Sequence, residues 1–365
     1  MSFITFLCPI RNRNIDYLLE SLANQTEKDF IFMLIDYGSE DEYIAQYKKN
    51  AQKYSFVECI FIENVKEKFW NRSLIINIGL KHIKTKNIFI TDADLYFEPD
   101  FFSQFKNNFK DNTFYVCVVK RLLSKKDNQL FFEQKTHQTK DTLPEMTAGI
   151  CASNTSIFIE AGGYDTFFRL WGREDNEFYK TIQKNNIPIE IINFDKSPIY
   201  HLWHQLENLD LPEGWLELIH QHEKENLLSI KRNNFLNTNI ANYQKNEQLL
   251  CLKYPFFYHI AYIYQYWYDL KTGETFYFQQ NFDTIIVQKQ KKLSFFLSFL
   301  NRILKKIGIG YRFIELEKFE KKQMTFKEAK DFIFYFILMQ EQNIADYSVV
   351  IDEKKLVIEW KMIKK

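Results

Sequence analysis

Glycine and proline are scarce in this chain, at 10 and 7 of 365 residues, against 36 phenylalanines and 21 tyrosines. With so many Lys and Asn alongside, that imbalance reads as the codon bias of an AT-rich genome rather than as a sugar-stacking surface. Cysteine is equally thin. Cys8, Cys59, Cys117, Cys151 and Cys251 lie far apart with neither a pairing pattern nor metal spacing, which excludes a disulfide scaffold and a structural zinc site. They read as reduced core cysteines of a cytosolic protein. No stretch approaches the roughly 18 uncharged apolar residues that a membrane span needs, and no repeat or low-complexity segment is visible. The first strand is expected from Phe3, so no signal peptide or anchor helix is expected ahead of it.

What is present is an ordinary globular composition, 26% charged and 46% hydrophobic, in a chain long enough for one large domain and a smaller one. The formal charge of +1 conceals an asymmetry: residues 251–365 carry 19 Lys+Arg against 13 Asp+Glu. A division into 1–245 and a basic, aromatic-rich region over 246–365 is expected.

Strand-like and helix-like segments alternate through the first hundred residues. FITFLC (3–8), FIFMLID (30–36), SFVECIFI (55–62) and NIFIT (87–91) are apolar runs of strand length, with helical spacing over 15–24, 41–53 and 71–84. Alternation of this kind predicts βαβ units and a mostly parallel sheet, in which ligands bind beyond the carboxyl ends of the strands. Those ends carry Pro9-Ile10-Arg11-Asn12-Arg13, Asp36-Tyr37-Gly38-Ser39 and Asp92-Ala93-Asp94. Two arginines and three carboxylates should therefore meet at one edge. Further along, a helix over 100–109, a strand over 113–119, a polar loop over 124–144, a helix over 174–184 with acidic residues in its first turn and a strand over 187–193 are expected.

PIRNRNIDYLLESL, FWNRSLIINIGL, the Asp-x-Asp strand end, TAGICASNTSIFIEAGGYDTFFRLWGREDNEF and a later histidine follow one another in order. This series resembles GT-A sugar transferases, most of all the β-1,4-galactosyltransferase group and bacterial family-2 enzymes of the chondroitin-polymerase type. The resemblance covers residues 3 to about 205. It implies an α/β fold of GT-A type, Rossmann-like, with helices on both sides of a mostly parallel sheet and a further helical or mixed C-terminal region.

The resemblance also implies roles. Asp94 would be a ligand of Mn²⁺ or Mg²⁺ and Asp92 would contact the ribose or the metal through water. His201 is a third-ligand candidate, with His204 as the alternative, the two being close only if the chain turns between them. Pro9, Arg11, Arg13, Asp36, Trp70 and Arg72 match nucleotide-gripping positions, arginine suiting phosphate because its planar fork bonds two oxygens. Asp175 matches the catalytic base, and Glu174, Trp171 and Gly149 the acceptor site. Met146 lies where related enzymes discriminate galactose from its N-acetyl form, a flexible side chain leaving room for an acetamido group.

Each residue also has a plainer reading: Asp-x-Asp and Asp36-Tyr-Gly-Ser make good turns, and Glu174 and Asp175 suit a helix start. That last reading gives no reason for the Trp171-Gly172 that precedes them. The function implied is an inverting, metal-dependent transfer of a hexose or N-acetylhexosamine from a UDP-sugar to a glycan or lipid-linked acceptor, in bacterial surface polysaccharide synthesis. A nucleotidyltransferase would need a glycine-rich phosphate loop after the first strand, and residues 9–13 contain no glycine. A binding module without chemistry is the non-enzymatic alternative. In the C-terminal region LSFFLSFLNRILKKI (293–307) segregates apolar from basic residues, which suits either a core-facing helix or one lying on the inner face of an anionic plasma membrane. The basic charge lacks the spacing of a nucleic-acid module, so no nucleic-acid partner is expected.

Overall fold

The computed structural model describes residues 2–142, 149–205 and 211–225, and beyond them 242–244, 248–251, 258–259, 264–269, 274–281, 284–289, 297–298, 301–302, 326–339, 344–352 and 357–364. It divides into two units, Met1–Lys253 and Tyr254–Lys365.

In the first unit the alternating pattern forms as expected: β1 (Ile4–Ile10), α1 (Asp16–Ala23), β2 (Phe30–Asp36), α2 (Asp41–Lys53), β3 (Val57–Glu63), α3 (Arg72–Leu80) and β4 (Asn87–Ile90). The chain continues with β5 (Leu95–Phe97), α4 (Phe101–Asn108), β6 (Phe114–Cys117), β7 (Val119–Leu122), α5 (Lys125–Phe132) and β8 (Thr139–Asp141). After these come β9 (Cys151–Asn154), α6 (Thr155–Glu160), α7 (Glu174–Lys184), β10 (Ile189–Ile192), β11 (Ile199–His201), α8 (Trp215–Glu225), β12 (Asn242–Gln244) and β13 (Gln248–Cys251). The main sheet has the order β10-β6-β9-β4-β1-β2-β3-β13-β12. Pairs β1–β2, β1–β4, β2–β3, β3–β13 and β6–β10 are parallel, while β9 runs antiparallel between β4 and β6. Because β13 joins this sheet through β3, the first unit reaches past the composition change near 245.

Alternation along each strand gives the sheet two apolar faces. β1 sends Phe6, Cys8 and Ile10 into one core with α1 and α4, and Leu7 into the other with α3 and α7. The phenylalanines are largely core: Phe6 packs against Phe30, Phe89, Phe97 and Phe102 at centroid distances of 4.8–5.7 Å. Aromatic pairs of this kind contribute roughly 0.5–1.5 kcal/mol each beyond simple burial. On the other face α3 lies so close to β1 that a Cβ on Gly79 would sit 2.5 Å from Leu7.

Two departures from the sequence pattern lie beside the site. The strand expected over 113–119 breaks after Cys117, and β7 leaves for a second sheet of order β5-β11-β7-β8. The polar loop expected over 124–144 contains α5, started by Ser124, whose hydroxyl accepts from the Asp127 amide at 3.1 Å.

In the second unit a three-stranded antiparallel meander (β15 Tyr264–Asp269, β16 Glu274–Asn281, β17 Thr284–Lys289) and the sheet β14-β19-β18 (Tyr258–His259, Val357–Lys364, Ile344–Asp352) are described. β18 and β19 form a hairpin in antiparallel register. The helix α9, Phe326–Met339, buries Ile333, Phe334, Ile337 and Leu338 along one stripe. The amphipathic stretch 293–307 lies outside the described residues except at 297–298 and 301–302. No helix among the described residues is long and apolar enough to cross a membrane.

Candidate active site

Parallel pairing brings the carboxyl ends of β1, β2 and β4 to one edge, and the second sheet closes over it. The β5–β11 pair is antiparallel with His201 opposite Leu95, and the Leu202 amide donates to the Asp94 carbonyl at 2.8 Å. Strand pairing thus fixes a histidine beside an aspartate more than a hundred residues earlier. The chain then turns at Trp203, whose amide and carbonyl both bond the Asn128 side chain on α5 at 2.7 Å. That turn brings His204 back, so both histidines meet Asp94: its Oδ2 lies 3.1 Å from His204 Nε2 and 3.6 Å from His201 Nε2. Burial would raise the Asp94 pKa, but the two imidazoles outweigh it and hold the carboxylate below its ordinary value.

Three ligand atoms, one each from Asp94, His201 and His204, lie within 4.8 Å of one another. Atoms held at about 2.0–2.2 Å from one ion lie up to about 4.4 Å apart, and the 3.1 and 3.6 Å separations from Asp94 fall within that range. The other oxygen of Asp94 is buried without a hydrogen-bond partner among the described residues, a costly state for a carboxylate that a cation would relieve. The residues present therefore fit a divalent metal.

Beside this cluster stands Arg72, at the start of α3, where Asn71 caps the helix by accepting from Leu74 N–H at 2.8 Å. Its guanidinium reaches Asp92 Oδ1 and the Gly149 carbonyl at 2.9 Å each, and Glu174 Oε1 at 3.8 Å. Glu174 and Asp175 begin α7, preceded by Leu170, Gly172 and Arg173 at φ 59°, 118° and 67°. The left-handed region costs a non-glycine residue roughly 1–2 kcal/mol, so the two carboxylates are delivered by a strained loop. A cavity of about 320 Å³ is lined by Trp70, Arg72, Asp92, Trp171, Asp175 and His201, among others.

Burial, then the Asp175 charge, raise Glu174 to about 7, with Arg72 opposing; burial also raises Asp175. A carboxyl whose folded pKa exceeds its unfolded value of 4.5 adds stability that is complete below about 4.5 and lost as pH climbs through 7. Shared across the pair, this is on the order of 1–3 kcal/mol. Glu174→Gln, which never ionises, should therefore melt as wild type does near pH 4.5 but a few degrees higher at pH 8. Parallel melting curves at every pH would refute the shift.

The remaining candidates are spread around this edge. Trp70 walls the cavity and meets Tyr37 edge-on at 6.2 Å. Trp171 is 58% exposed beside it, and a Cβ on Gly149 would lie 3.4 Å from Asp175 Oδ2. The hydrogen bond to Asp94 raises the His204 pKa, with the Arg13 charge a weaker opposing influence, and the Arg13 backbone is held by the Tyr47 hydroxyl.

Arg11, expected to grip the nucleotide, is engaged with the backbone in this structure. It donates to the carbonyls of Tyr37, Val65 and Lys68 and lies over the Tyr37 ring at 4.8 Å. It joins three strand-end loops because their carbonyls converge there. Pro9 is buried inside β1 opposite Ile35. Asp36, buried, accepts from the Ser39 amide at 3.2 Å and so holds its own turn. Met146 lies outside the described residues. Arg121 and Arg169, which sequence reasoning passed over, also line the cavity. Arg121 had a signal only in its pairing with His201 across β7 and β11.

Residues 5–171 match glycosyl transferase family 2. That match covers a little under half of the chain. The match spans β1 through the loop before α7, including Arg72, Asp92, Asp94 and Trp171, and ends short of Glu174, Asp175 and both histidines. The chain is 22% identical to human chondroitin sulfate N-acetylgalactosaminyltransferase 1 over 156 residues, covering 39% of this chain and 28% of that one. It thus spans under a third of that relative's length. Among solved structures it is similar to S. aureus TarS 1-349 in complex with UDP-GlcNAc, at 18% identity and a TM-score of 0.43, covering 57% of this chain and 60% of that one. The same protein in complex with UDP gives 18% identity and a TM-score of 0.41, covering 61% and 72%.

Proposed function

We propose that this protein is an inverting, metal-dependent glycosyltransferase, moving a hexose or N-acetylhexosamine from a UDP-sugar to a glycan or lipid-linked acceptor in bacterial surface polysaccharide synthesis. One observation carries the reading: His201, a member of the Asp94/His201/His204 set, and the Asp175 carboxylate line the same cavity. A site for the departing diphosphate and a base for the incoming hydroxyl would thus flank the space where a sugar would sit. The name of the human relative leans the donor towards the N-acetylhexosamines.

In this reading the acceptor hydroxyl approaches Asp175, which takes its proton as the oxygen bonds to the anomeric carbon. The bond from that carbon to the diphosphate oxygen breaks on the opposite face, its electron pair leaves with UDP, and the configuration inverts. Burial, which raises the Asp175 pKa, makes it a better proton acceptor than a surface aspartate. Glu174 holds a second acceptor hydroxyl and Trp171 offers its exposed ring to a sugar face. Arg72 keeps Asp92 at the ribose side, and Trp70, Arg13 and the Asp36 turn border the nucleotide. A divalent ion held by Asp94, His201 and His204 would neutralise charge on the diphosphate as a Lewis acid. Two imidazoles in the set favour Mn²⁺ over Mg²⁺, which prefers oxygen ligands. The basic balance of 251–365 supports work at the inner membrane face, where a lipid-linked acceptor would be presented.

Incubation with UDP-GalNAc, UDP-GlcNAc, UDP-galactose and UDP-glucose in Mn²⁺ tests the reading. Release of UDP from at least one, stopped by EDTA, is expected. UDP binding without release from any of them would make the protein a binding module, and a retained anomeric configuration in the product would exclude inversion.

A further inference from the structure

α8 begins more than forty residues beyond the family match, yet one of its faces is applied to the loop that delivers Glu174 and Asp175. The Trp215 indole N–H donates to the Trp171 carbonyl at 3.2 Å. Ile219 lies under Gly172, where an added Cβ would come within 3.0 Å of its Cδ1. His222 is 1% exposed, with Nε2 at 2.8 Å from Asp165 Oδ2 and its ring stacked on Phe167 at 3.9 Å. Glu223 pairs with Arg173 and Lys180, so it bridges the loop to α7. Positions 215, 219, 222 and 223 share one side of a helix.

The loop under them needs holding. Leu170, Gly172 and Arg173 all have left-handed backbones, and such conformations persist only where the surroundings over-determine them. Asp165, the partner of His222, also accepts from the Phe167 amide at 2.9 Å, so the histidine fixes the loop's first turn while Trp215 and Glu223 fix its last.

We infer that α8 is a clasp for the acceptor loop, with Trp215, His222 and Glu223 as positioning residues that aim Trp171, Glu174 and Asp175 into the cavity. None of the three lines the cavity, so they act through the loop and not on substrate. The inference rests on the reading of Asp175 as the base, and it assigns the set of the acceptor side to a segment outside the family domain.

Hydrogen exchange and turnover, measured on Trp215→Phe, His222→Leu and His222→Gln, test it. Trp215→Phe removes the N–H together with part of the buried indole, while His222→Leu removes the other anchor without touching Trp215. Amides of 170–176 should exchange about tenfold faster in Trp215→Phe and His222→Leu, while those of β1, β2 and β4 keep wild-type rates. Release of UDP from UDP-GalNAc should fall roughly 10- to 100-fold in kcat, as expected for a misplaced base, with UDP affinity within about twofold. His222→Gln, whose amide can still donate to Asp165, should recover most of the loss. Wild-type exchange over 170–176 in both deleting variants would overturn the clasp. So would faster exchange throughout β1, β2 and β4 with loss of UDP binding, since that marks a role in overall stability. A wild-type protein that turns over no UDP-sugar would sink the transfer mechanism, and the exchange arm would still decide the clasp.

Discussion

Asp175→Asn should release UDP from its donor at a rate roughly 10²–10⁴-fold below wild type, the usual contribution of a positioned general base. UDP affinity should be unchanged. The reasoning is local. Asparagine is isosteric and can keep the contact with the Asn176 amide, made at 2.8 Å by Asp175 Oδ1, but it cannot take a proton. The substitution also removes the charge that, after burial, pushes Glu174 upward, so Glu174 should ionise at lower pH in the variant. Steady-state turnover beside UDP titration separates the two consequences. Wild-type turnover in Asp175→Asn would remove the residue from the chemistry and leave it as a helix-start carboxylate.

Asp94→Ala should abolish Mn²⁺-stimulated turnover, a fall of about 10³-fold or more if the ion supplies several kcal/mol of charge stabilisation. Asp94 is the only one of the three ligands that can bring negative charge, and it faces both histidines. Single His201→Ala and His204→Ala variants keep the carboxylate and should retain a weakened response, with half-saturation at higher Mn²⁺. Mn²⁺ binding followed by electron spin resonance gives a readout independent of turnover. Undiminished binding in Asp94→Ala would place the ion elsewhere.

How far the sequence reached follows from what each residue depends on. The strands around the site could be read because their apolar runs are local, as FITFLC and FIFMLID became β1 and β2. Asp92 and Asp94 could be placed at a strand end for the same reason. His204 could not be weighed against His201, because their proximity depends on Asn128, a residue of α5 about 75 positions away. The backbone contacts of Arg11 were hidden in a similar way: beside a strand end its charge suggests phosphate, and the carbonyls of Val65 and Lys68 that it reaches come from another loop. α5 and α8 went unnoticed since each is mostly polar. Only the Trp215-Ile219-His222 spacing hinted that α8 has a buried side.

β11 contributes three residues to the second sheet, paired with β5 and β7. A slip by one residue would turn His201 to the opposite face, and a strand of three residues, paired three to a side, is a short lock against such a slip. An ion seated on Asp94, His201 and His204 would bind one register and no other, adding about 2.7 kcal/mol to it at a hundredfold excess over the dissociation constant. Metal supply would then act as a proofreader of strand pairing, adding its binding energy only to the register that assembles the ligand set.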